Sequence, residues 1–291
     1  MINPIIFTIH LGSFVLAVRW YGVIIMLAVL LGAWLAERGV RRRGENGDHI
    51  WDALIWIVPA GIIGARLWYV INASLGGNRI YLDQPLQIIN IPAGGLHIFG
   101  GFLFGAIALL LYARHYKLDL WLLLDSIAPV LLIAQALGRI ANFINQELYG
   151  PPTTLPWGIP ISAEHRIAAY SDLVQYPVAT TRFHPTFAYE MIWNLLAAAL
   201  LYWLFHRFSS RFKPGSMFAG WLILAGVGRS IIEQFRPDQP RIPGLEISYS
   251  NIIAFLMALT GVLILLWLYK AIRLHSLPKP PQAYKISPKK V

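Results

Sequence analysis

The chain has 291 residues, of which 57% are hydrophobic and 13% are charged, and its mean hydropathy is +0.56. A soluble domain carries about a quarter charged residues, so this composition excludes an ordinary soluble protein and indicates several membrane spans. The formal net charge is +10, and there is no cysteine, which excludes disulfides, thiolate metal ligands and a cysteine nucleophile supplied by the chain itself.

The first residues, Met-Ile-Asn-Pro-Ile-Ile-Phe, precede the first long apolar block. They lack the basic region and the small-residue cleavage site of a secretory signal peptide. We therefore expect the first span to be retained in the mature protein.

Apolar blocks close to the roughly 20 residues needed to cross a bilayer recur along the chain. They predict seven transmembrane helices, at residues 15–36, 51–71, 94–112, 120–141, 186–206, 217–233 and 250–269. The predicted fold class is an all-α polytopic membrane protein, with a transmembrane domain that covers residues 1–275.

Three segments fall outside the predicted spans. Residues 146–185, which are rich in proline, are too long and too polar for a turn and predict a small extracytoplasmic head. Residues 72–93 are expected to follow the membrane interface. Residues 276–291 carry prolines and lysines and are expected to form a basic, disordered cytoplasmic tail.

The positive charges are distributed unevenly between the two sides of the predicted membrane domain. Of the 24 lysines and arginines, 15 follow the first, third, fifth and seventh spans, 6 lie on the opposite side, and 3 lie within or at the ends of spans. The positive-inside rule then predicts an extracytoplasmic N-terminus and a cytoplasmic C-terminus. The excess of positive charge thus reflects the membrane topology, and the cytoplasmic lysines and arginines are expected to face anionic lipid. No nucleic-acid partner is expected.

Polar residues concentrate at the outer ends of the predicted spans. Arg66, Arg139 and Arg229 each lie in the last third of a span that runs outward. Spans three and five begin near the other candidates, which are His97, His184, Tyr189 and Glu190. Interfacial anchoring is the alternative for such residues, above all for Arg19 and Trp20, and Arg229 is also spaced to form an ordinary helical ion pair with Glu233.

Arg139 stands at the end of an apolar stretch and is followed by Asn142, Asn145 and Glu147. Charged and amide side chains at membrane depth cost free energy unless they have partners or a function. Asn142 is three residues after Arg139, so the two share a helix face. Because a guanidinium binds two phosphate oxygens at once, three arginines in one leaflet predict an anionic ligand, and a phospholipid headgroup is the obvious anion at that depth.

The run Gly138-Arg139-x-x-Asn142-Phe143-x-Asn145-x-Glu147-x-x-Gly150 resembles the signature of bacterial prolipoprotein diacylglyceryl transferases. Further motifs in the same order are similar to the family: Trp20-Tyr21-Gly22, Gly64-Ala-Arg66, Gly94-Gly95 with Gly100-Gly101, His184-Pro185-Thr186-x-x-Tyr189-Glu190, and Arg229-x-x-x-Glu233-x-x-Arg236. The resemblance extends along most of the chain.

The resemblance implies an enzyme that transfers the diacylglyceryl group of phosphatidylglycerol to the lipobox cysteine of a preprolipoprotein and releases glycerol 1-phosphate. It also implies a bacterial cytoplasmic (inner) membrane protein with seven spans and an outward-facing site. The candidate catalytic residues are then Arg139, Arg229, Glu233, His97 and Tyr21. The residues expected to bind phosphatidylglycerol are Arg139, Asn142, Asn145, Glu147, Gly150 and Arg66, and the supporting residues are His184, Tyr189, Glu190 and Arg236.

The chain departs from the family pattern at two positions. Ala141 replaces a glycine of the signature, and Phe99 stands where family members usually carry a histidine that is a proposed catalytic base. The nearest histidine is His97. Two residues correspond to about 200° of rotation on a helix, so His97 replaces that histidine only if this entry to the span is extended.

No cofactor or metal is expected, because the eight histidines are scattered and none forms an HExxH pair. Two alternatives to a transferase remain. One is a non-catalytic lipid-binding member of the family, which Phe99 motivates. The other is a lipid transporter or scramblase, which predicts polar residues in both leaflets, whereas the inner halves of the predicted spans look nearly free of charge.

Overall fold

The computed structural model describes residues 2–11, 14–91, 94–208, 211–245, 247–272 and 279–286. Within these residues seven helices are long and apolar enough to cross a membrane: α1 (Trp20–Arg42), α2 (Asp48–Leu75), α4 (Ile98–His115), α5 (Leu120–Ile144), α6 (Thr186–Phe208), α7 (Ser216–Glu233) and α8 (Tyr249–Leu268). A short helix, α3 (Ile80–Asp83), lies between α2 and α4. The predicted all-α fold with seven membrane helices is confirmed.

The start of the first span was predicted wrongly. Two antiparallel strands, β1 (Ile5–Leu11) and β2 (Phe14–Arg19), pair from Ile5 opposite Arg19 to Leu11 opposite Phe14, and α1 begins only at Trp20. Residues 15–19 therefore belong to a hairpin. The physical reason is a local run of isoleucine, valine, phenylalanine and threonine, which favours strands even though its hydropathy resembles that of a membrane helix.

Helix α4 begins at Ile98, four residues later than predicted. Gly94 and Gly95 have φ angles of 89° and 80°, in the left-handed region that a right-handed helix does not use. The apolar character of this segment thus extends beyond its helical part. The structure consequently places His97 before the helix and not within it.

One compact unit of the chain comprises Ala33–Leu123 and Tyr284–Val291. In it α2 packs against α4 at two glycines, since a Cβ added to Gly100 would lie only 2.2 Å from the carbonyl oxygen of Gly64. Near the C-terminus, the Lys285 backbone N–H donates to Asp119 Oδ2 at 2.7 Å, although residues 279–286 form no helix or strand. The rest of the predicted tail, residues 276–278 and 287–291, lies outside the described residues.

The other compact unit comprises Met1–Gly32 and Leu124–Ala283. Helix α7 packs against both α6 and α8. Part of the core of this unit is built from the small and aliphatic residues Ala128, Leu132, Ala197, Ala198, Leu201 and Met217, which come from α5, α6 and α7. This packing fixes the three helices that carry the polar cluster described below.

Residues 146–185 form an irregular segment with its own small core. Tyr149, Ile161 and Phe183 are buried together, and the rings of Tyr149 and Phe183 meet edge to face with centroids 5.0 Å apart. The backbone of Phe183 exchanges hydrogen bonds with that of Ile159, which ties the last part of the segment to its middle. Because the segment has its own small core, its structure is compatible with the small head predicted from the sequence.

Candidate active site

Arg139 lies near the C-terminal end of α5 with its side chain 21% exposed. Its Nη1 donates to Asn142 Oδ1 at 2.9 Å, and its Nη2 lies 2.7 Å from Glu190 Oε1 on α6. Its Nε is buried and has no hydrogen-bond partner among the described residues. Arg139 therefore has one buried donor that no described group satisfies.

The residues that follow Arg139 turn back on themselves to complete a small network. Asn142 Nδ2 donates to Glu147 Oε1 at 2.7 Å, and Asn145 Nδ2 donates to the same oxygen at 3.3 Å. The reversal depends on left-handed backbone at Gln146 and Leu148, with φ angles of 52° and 57°. Such angles are uncommon for residues other than glycine, so the surrounding contacts must hold this turn.

Gln146 and Gly150 fix the ends of that turn. The Gln146 side-chain oxygen accepts the Ser162 backbone N–H at 2.8 Å, and the Gly150 N–H donates to the His184 carbonyl at 2.8 Å. A Cβ on Gly150 would lie 2.8 Å from the Phe235 carbonyl oxygen. The structure thus shows close packing at Gly150, and its role in binding lipid stays a prediction.

Arg229, on α7, makes three polar contacts. Its Nη2 lies 2.6 Å from Glu233 Oε2, its Nη1 lies 3.8 Å from Glu190 Oε2, and its Nε donates to Ser250 Oγ at 2.9 Å. Ser248 donates a short hydrogen bond to the other oxygen of Glu233. Arg229 is therefore part of an interhelical network, and not only of the ordinary helical pair weighed as the alternative.

Glu190 connects the two arginines. One carboxylate oxygen faces Arg139 and the other faces Arg229, and its side chain is only 12% exposed. Predicted site residues from α5, from the turn that follows it, and from α6 and α7 thus meet in one cluster. We call it the arginine–carboxylate cluster: Arg139, Asn142, Asn145, Glu147, Glu190, Arg229 and Glu233.

Two further groups support the surroundings of the cluster. Tyr189 accepts the Trp157 Nε1–H at 2.8 Å and lies 3.0 Å from His184 Nδ1. Arg236 forms a two-pronged pair with Asp238, with N···O distances of 2.8 and 2.9 Å. Burial alone would raise the pKa of Asp238, but the hydrogen bonds and positive charge of Arg236 outweigh it and hold the pKa below its usual value.

Arg66 does not present a free guanidinium. It is 5% exposed and donates to four backbone carbonyls, those of Gln87, Ile88, Gly94 and Gly95, at 2.5–3.0 Å. A cation whose donors are used in this way organises a loop. The sequence does not show that the following loop places its carbonyls around this side chain, and the phosphate-binding role of Arg66 stays a prediction.

His97 and Tyr21 complete the predicted site residues. His97 has extended backbone, with φ −112° and ψ 123°, and its ring centroid lies 5.4 Å from that of Phe99. Its Nδ1 is buried and finds no hydrogen-bond partner in the described part of the chain. The extended entry considered from the sequence is thus present. Tyr21 lies in the first turn of α1 and is 43% exposed.

Sequence reasoning missed three polar residues. Ser248 and Ser250 had no signal beyond their type, and they contact Glu233 and Arg229 of the cluster only because α8 packs against α7. Asp125 had a clear signal, since it interrupts an apolar run of α5, but it was not singled out. It is completely buried.

Within the described residues, seven membrane-length helices carry a buried network of paired arginines and carboxylates. These features define a polytopic membrane protein with a charged centre at one end of three packed helices. Among the described side chains, no three His, Asp or Glu residues form a group that could hold a metal ion.

The comparisons with known proteins identify the family. The profile described as prolipoprotein diacylglyceryl transferase matches residues 4–267. The chain belongs to the prolipoprotein diacylglyceryl transferase family, and it is a transferase.

Relatives from several bacteria are similar to this chain over most of its length, and each is called a phosphatidylglycerol–prolipoprotein diacylglyceryl transferase. The relative from Chloroflexus aggregans is 39% identical over 243 residues, which cover 81% of this chain and 78% of the relative. That from Synechococcus elongatus is 39% identical over 257 residues, covering 87% and 84%. That from Nostoc sp. is 38% identical over 270 residues, covering 90% and 89%.

Proposed function

We propose that this protein transfers the diacylglyceryl group of phosphatidylglycerol to the lipobox cysteine thiol of a preprolipoprotein and releases glycerol 1-phosphate. The observation that carries the proposal is the pairing of Arg139 and Arg229 with the two oxygens of Glu190. Two guanidinium groups are thereby held close enough to share one anion. The names of the relatives supply the two substrates.

The reaction is a substitution at C3 of the glyceryl group. The S–C bond forms as the C–O bond to phosphate breaks, and the thiol proton passes to a base. When a thiolate displaces a phosphodiester anion, the departing phosphate monoester gains one negative charge. Arg139 and Arg229 stabilise that charge, since prearranged cations contribute most where charge develops in the transition state.

The arrangement of donors favours phosphate at Arg139. Its buried Nε–H lacks a partner within the described ranges, and leaving such a donor unpaired costs about 1–3 kcal/mol. A phosphate oxygen would satisfy that donor and compete with Glu190 for the adjacent Nη2. Asn142 and Glu147 keep the guanidinium oriented while this exchange occurs.

His97 is the residue we propose as base. A thiol has a pKa of about 8.5, so an imidazole base assists the reaction by removing its proton. The free Nδ1 of His97 and its extended backbone support this assignment, as Phe99 cannot accept a proton. Tyr21, exposed in the first turn of α1, is the proposed supporting hydroxyl.

We place the protein in the bacterial cytoplasmic (inner) membrane, with the N-terminus outside and the C-terminus in the cytoplasm. The uneven distribution of lysine and arginine supports this orientation. The lipid bilayer and the lipobox segment of the acceptor are the proposed partners, and nucleic acid is not one of them.

The test is a transfer assay with purified protein, phosphatidylglycerol vesicles and a synthetic lipobox peptide. The peptide should gain the mass of one diacylglyceryl group, and a peptide with serine in place of cysteine should not. Binding of phosphatidylglycerol without a mass gain would instead identify a non-catalytic member of the family, the alternative that Phe99 favours. Movement of labelled lipid between leaflets without modified peptide would indicate a scramblase.

A further inference from the structure

Asp125 is a charged residue inside a membrane-length helix that the proposed chemistry does not use. Its side chain is completely buried near the N-terminal end of α5. A buried carboxylate costs several kcal/mol unless hydrogen-bond donors compensate it. Asp125 has such donors: its Oδ2 accepts the Gly215 N–H at 2.6 Å and its Oδ1 accepts the Phe218 N–H at 2.8 Å.

These two donors belong to the N-terminus of another helix, α7. The first N–H groups of a helix have no intrahelical partners, and a side chain at the N-cap usually accepts from them. Here the N-cap residue is Gly215, with a φ of 97°, and it has no side chain. Asp125 therefore caps α7 from α5, so that the cap also joins the two helices.

The joint lies at the same sequence distance from both arginines. Asp125 precedes Arg139 by 14 residues on α5, and Gly215 precedes Arg229 by 14 residues on α7. At 1.5 Å per residue, each arginine is about 21 Å along its helix from the joint. Because both distances start from the contact between Asp125 and the N-terminus of α7, the two arginines lie at the same height along the helix axes. Glu190 contacts both of them there.

We propose that Asp125 is a positioning residue that sets the axial register of α7 against α5 and so holds Arg229 level with Arg139. A slip of α7 by one residue would displace Arg229 by about 1.5 Å. Displacements near 1 Å from a productive geometry cost enzymes up to about 100-fold in rate. The inference rests on the proposed function, since it concerns the same pair of arginines.

The decisive variant is Asp125→Asn, which keeps the shape of the side chain but places an amide NH₂ against one of the two N–H donors. Lys213→Met is the matched control, because this residue lies two positions before Gly215 and its Nζ donates to the Leu268 carbonyl, so the substitution changes a side chain beside the cap and keeps the backbone. Each variant is purified in detergent, and its melting temperature, kcat and KM for phosphatidylglycerol are measured at 20 °C, well below melting.

We expect Asp125→Asn to lower kcat at least tenfold in folded protein and Lys213→Met to change it less than twofold. In protein that already carries Arg229→Lys, adding Asp125→Asn should lower kcat by less than a further factor of two. The axial position of a guanidinium on α7 no longer affects the rate in that protein. A lower melting temperature with kcat unchanged at 20 °C would overturn the proposal. So would failure of both Asp125→Asn and Asp125→Ser to fold, since Asp125 would then be a folding residue only.

Hydrogen–deuterium exchange gives a readout that does not depend on activity. In Asp125→Asn, exchange should rise in the first turn of α7 and also at residues 228–233 around Arg229. A rise confined to residues 216–220 would show simple fraying and contradict the proposal. If the wild-type protein transfers nothing, the proposed function fails, whereas the exchange pattern still decides the role of Asp125.

Discussion

The Glu190 carboxylate lies 2.7 Å from Arg139 on one side and 3.8 Å from Arg229 on the other, in a site where its side chain is 12% exposed. Glu190 therefore supplies negative charge to both cations, in addition to the charge that Glu233 supplies to Arg229. A substrate phosphate must share or take over those donors. Glu190 thus stabilises the two buried arginines and also competes with the lipid phosphate for their N–H donors.

Glu190→Gln should make the protein more dependent on lipid. The amide keeps the shape of the side chain but leaves the two arginines with less compensation, so the melting temperature of the lipid-free protein should fall. Because phosphate then replaces the missing charge, phosphatidylglycerol should raise the melting temperature by more than it does in wild type. The measurement is thermal unfolding with and without the lipid. Glu164→Gln, at an exposed position, is the control. If phosphatidylglycerol raises the melting temperature of Glu190→Gln and of wild type by the same amount, Glu190 does not compete with phosphate.

Arg139→Ala should lower transfer to the lipobox peptide by at least about 100-fold, the typical cost of removing a group that stabilises developing charge. Arg139→Lys should recover little of the loss, since an ammonium cannot contact Asn142, Glu190 and a phosphate with the geometry of a guanidinium. The exposed Arg79→Ala is the control and should remain within twofold of wild type. Full activity of Arg139→Ala would remove the phosphate-binding role.

Periodicity and hydropathy predicted most of the fold, and their failures have physical reasons. Hydropathy counts apolar residues without distinguishing strand from helix, so it included residues 15–19 in the first span. It also started the third span at residue 94, although the left-handed backbone of Gly94 and Gly95 delays α4. Both errors lie where local backbone preference, and not burial, decides the structure.

The candidate site was predicted in part. Arg139, Glu190 and Arg229 were expected at the outer ends of their spans, and the structure shows that they also contact one another. Arg66 satisfied the same criteria yet binds loop carbonyls. Its partners are backbone atoms, which every sequence contains, so residue types alone cannot distinguish its role from that of Arg139.

Arg66→Met should release the backbone that its side chain holds at residues 87, 88, 94 and 95. The variant loses hydrogen bonds to four carbonyls, so hydrogen–deuterium exchange in residues 87–91 and 94–95 should rise and the melting temperature should fall. Its KM for phosphatidylglycerol should change less than the KM of Arg139→Lys. A large rise in KM without a rise in exchange would instead support lipid binding by Arg66.

His97→Gln should lower kcat by about 10²-fold or more, the usual contribution of a general base. The loss should be smallest at high pH, where the peptide thiol, with a pKa of about 8.5, ionises without help. His206→Gln, at the other end of α6 from the arginine–carboxylate cluster, serves as the control. Unchanged turnover of His97→Gln between pH 6 and 9 would exclude His97 as the base.

The pair of Arg236 and Asp238 should make stability depend on pH in the acidic range. Since the folded protein holds the pKa of Asp238 below the ordinary value of 3.8, the pair contributes stability that is fully present above that value and is lost as pH falls toward the lowered pKa. Wild type should therefore melt above Asp238→Asn at pH 6, and the difference should shrink when the pH falls below about 3.8. Melting curves of both proteins from pH 7 to pH 3 measure this difference. A gap that stays constant over the whole range would mean that the charge of Asp238 does not stabilise the fold and that only the shape of its side chain matters there.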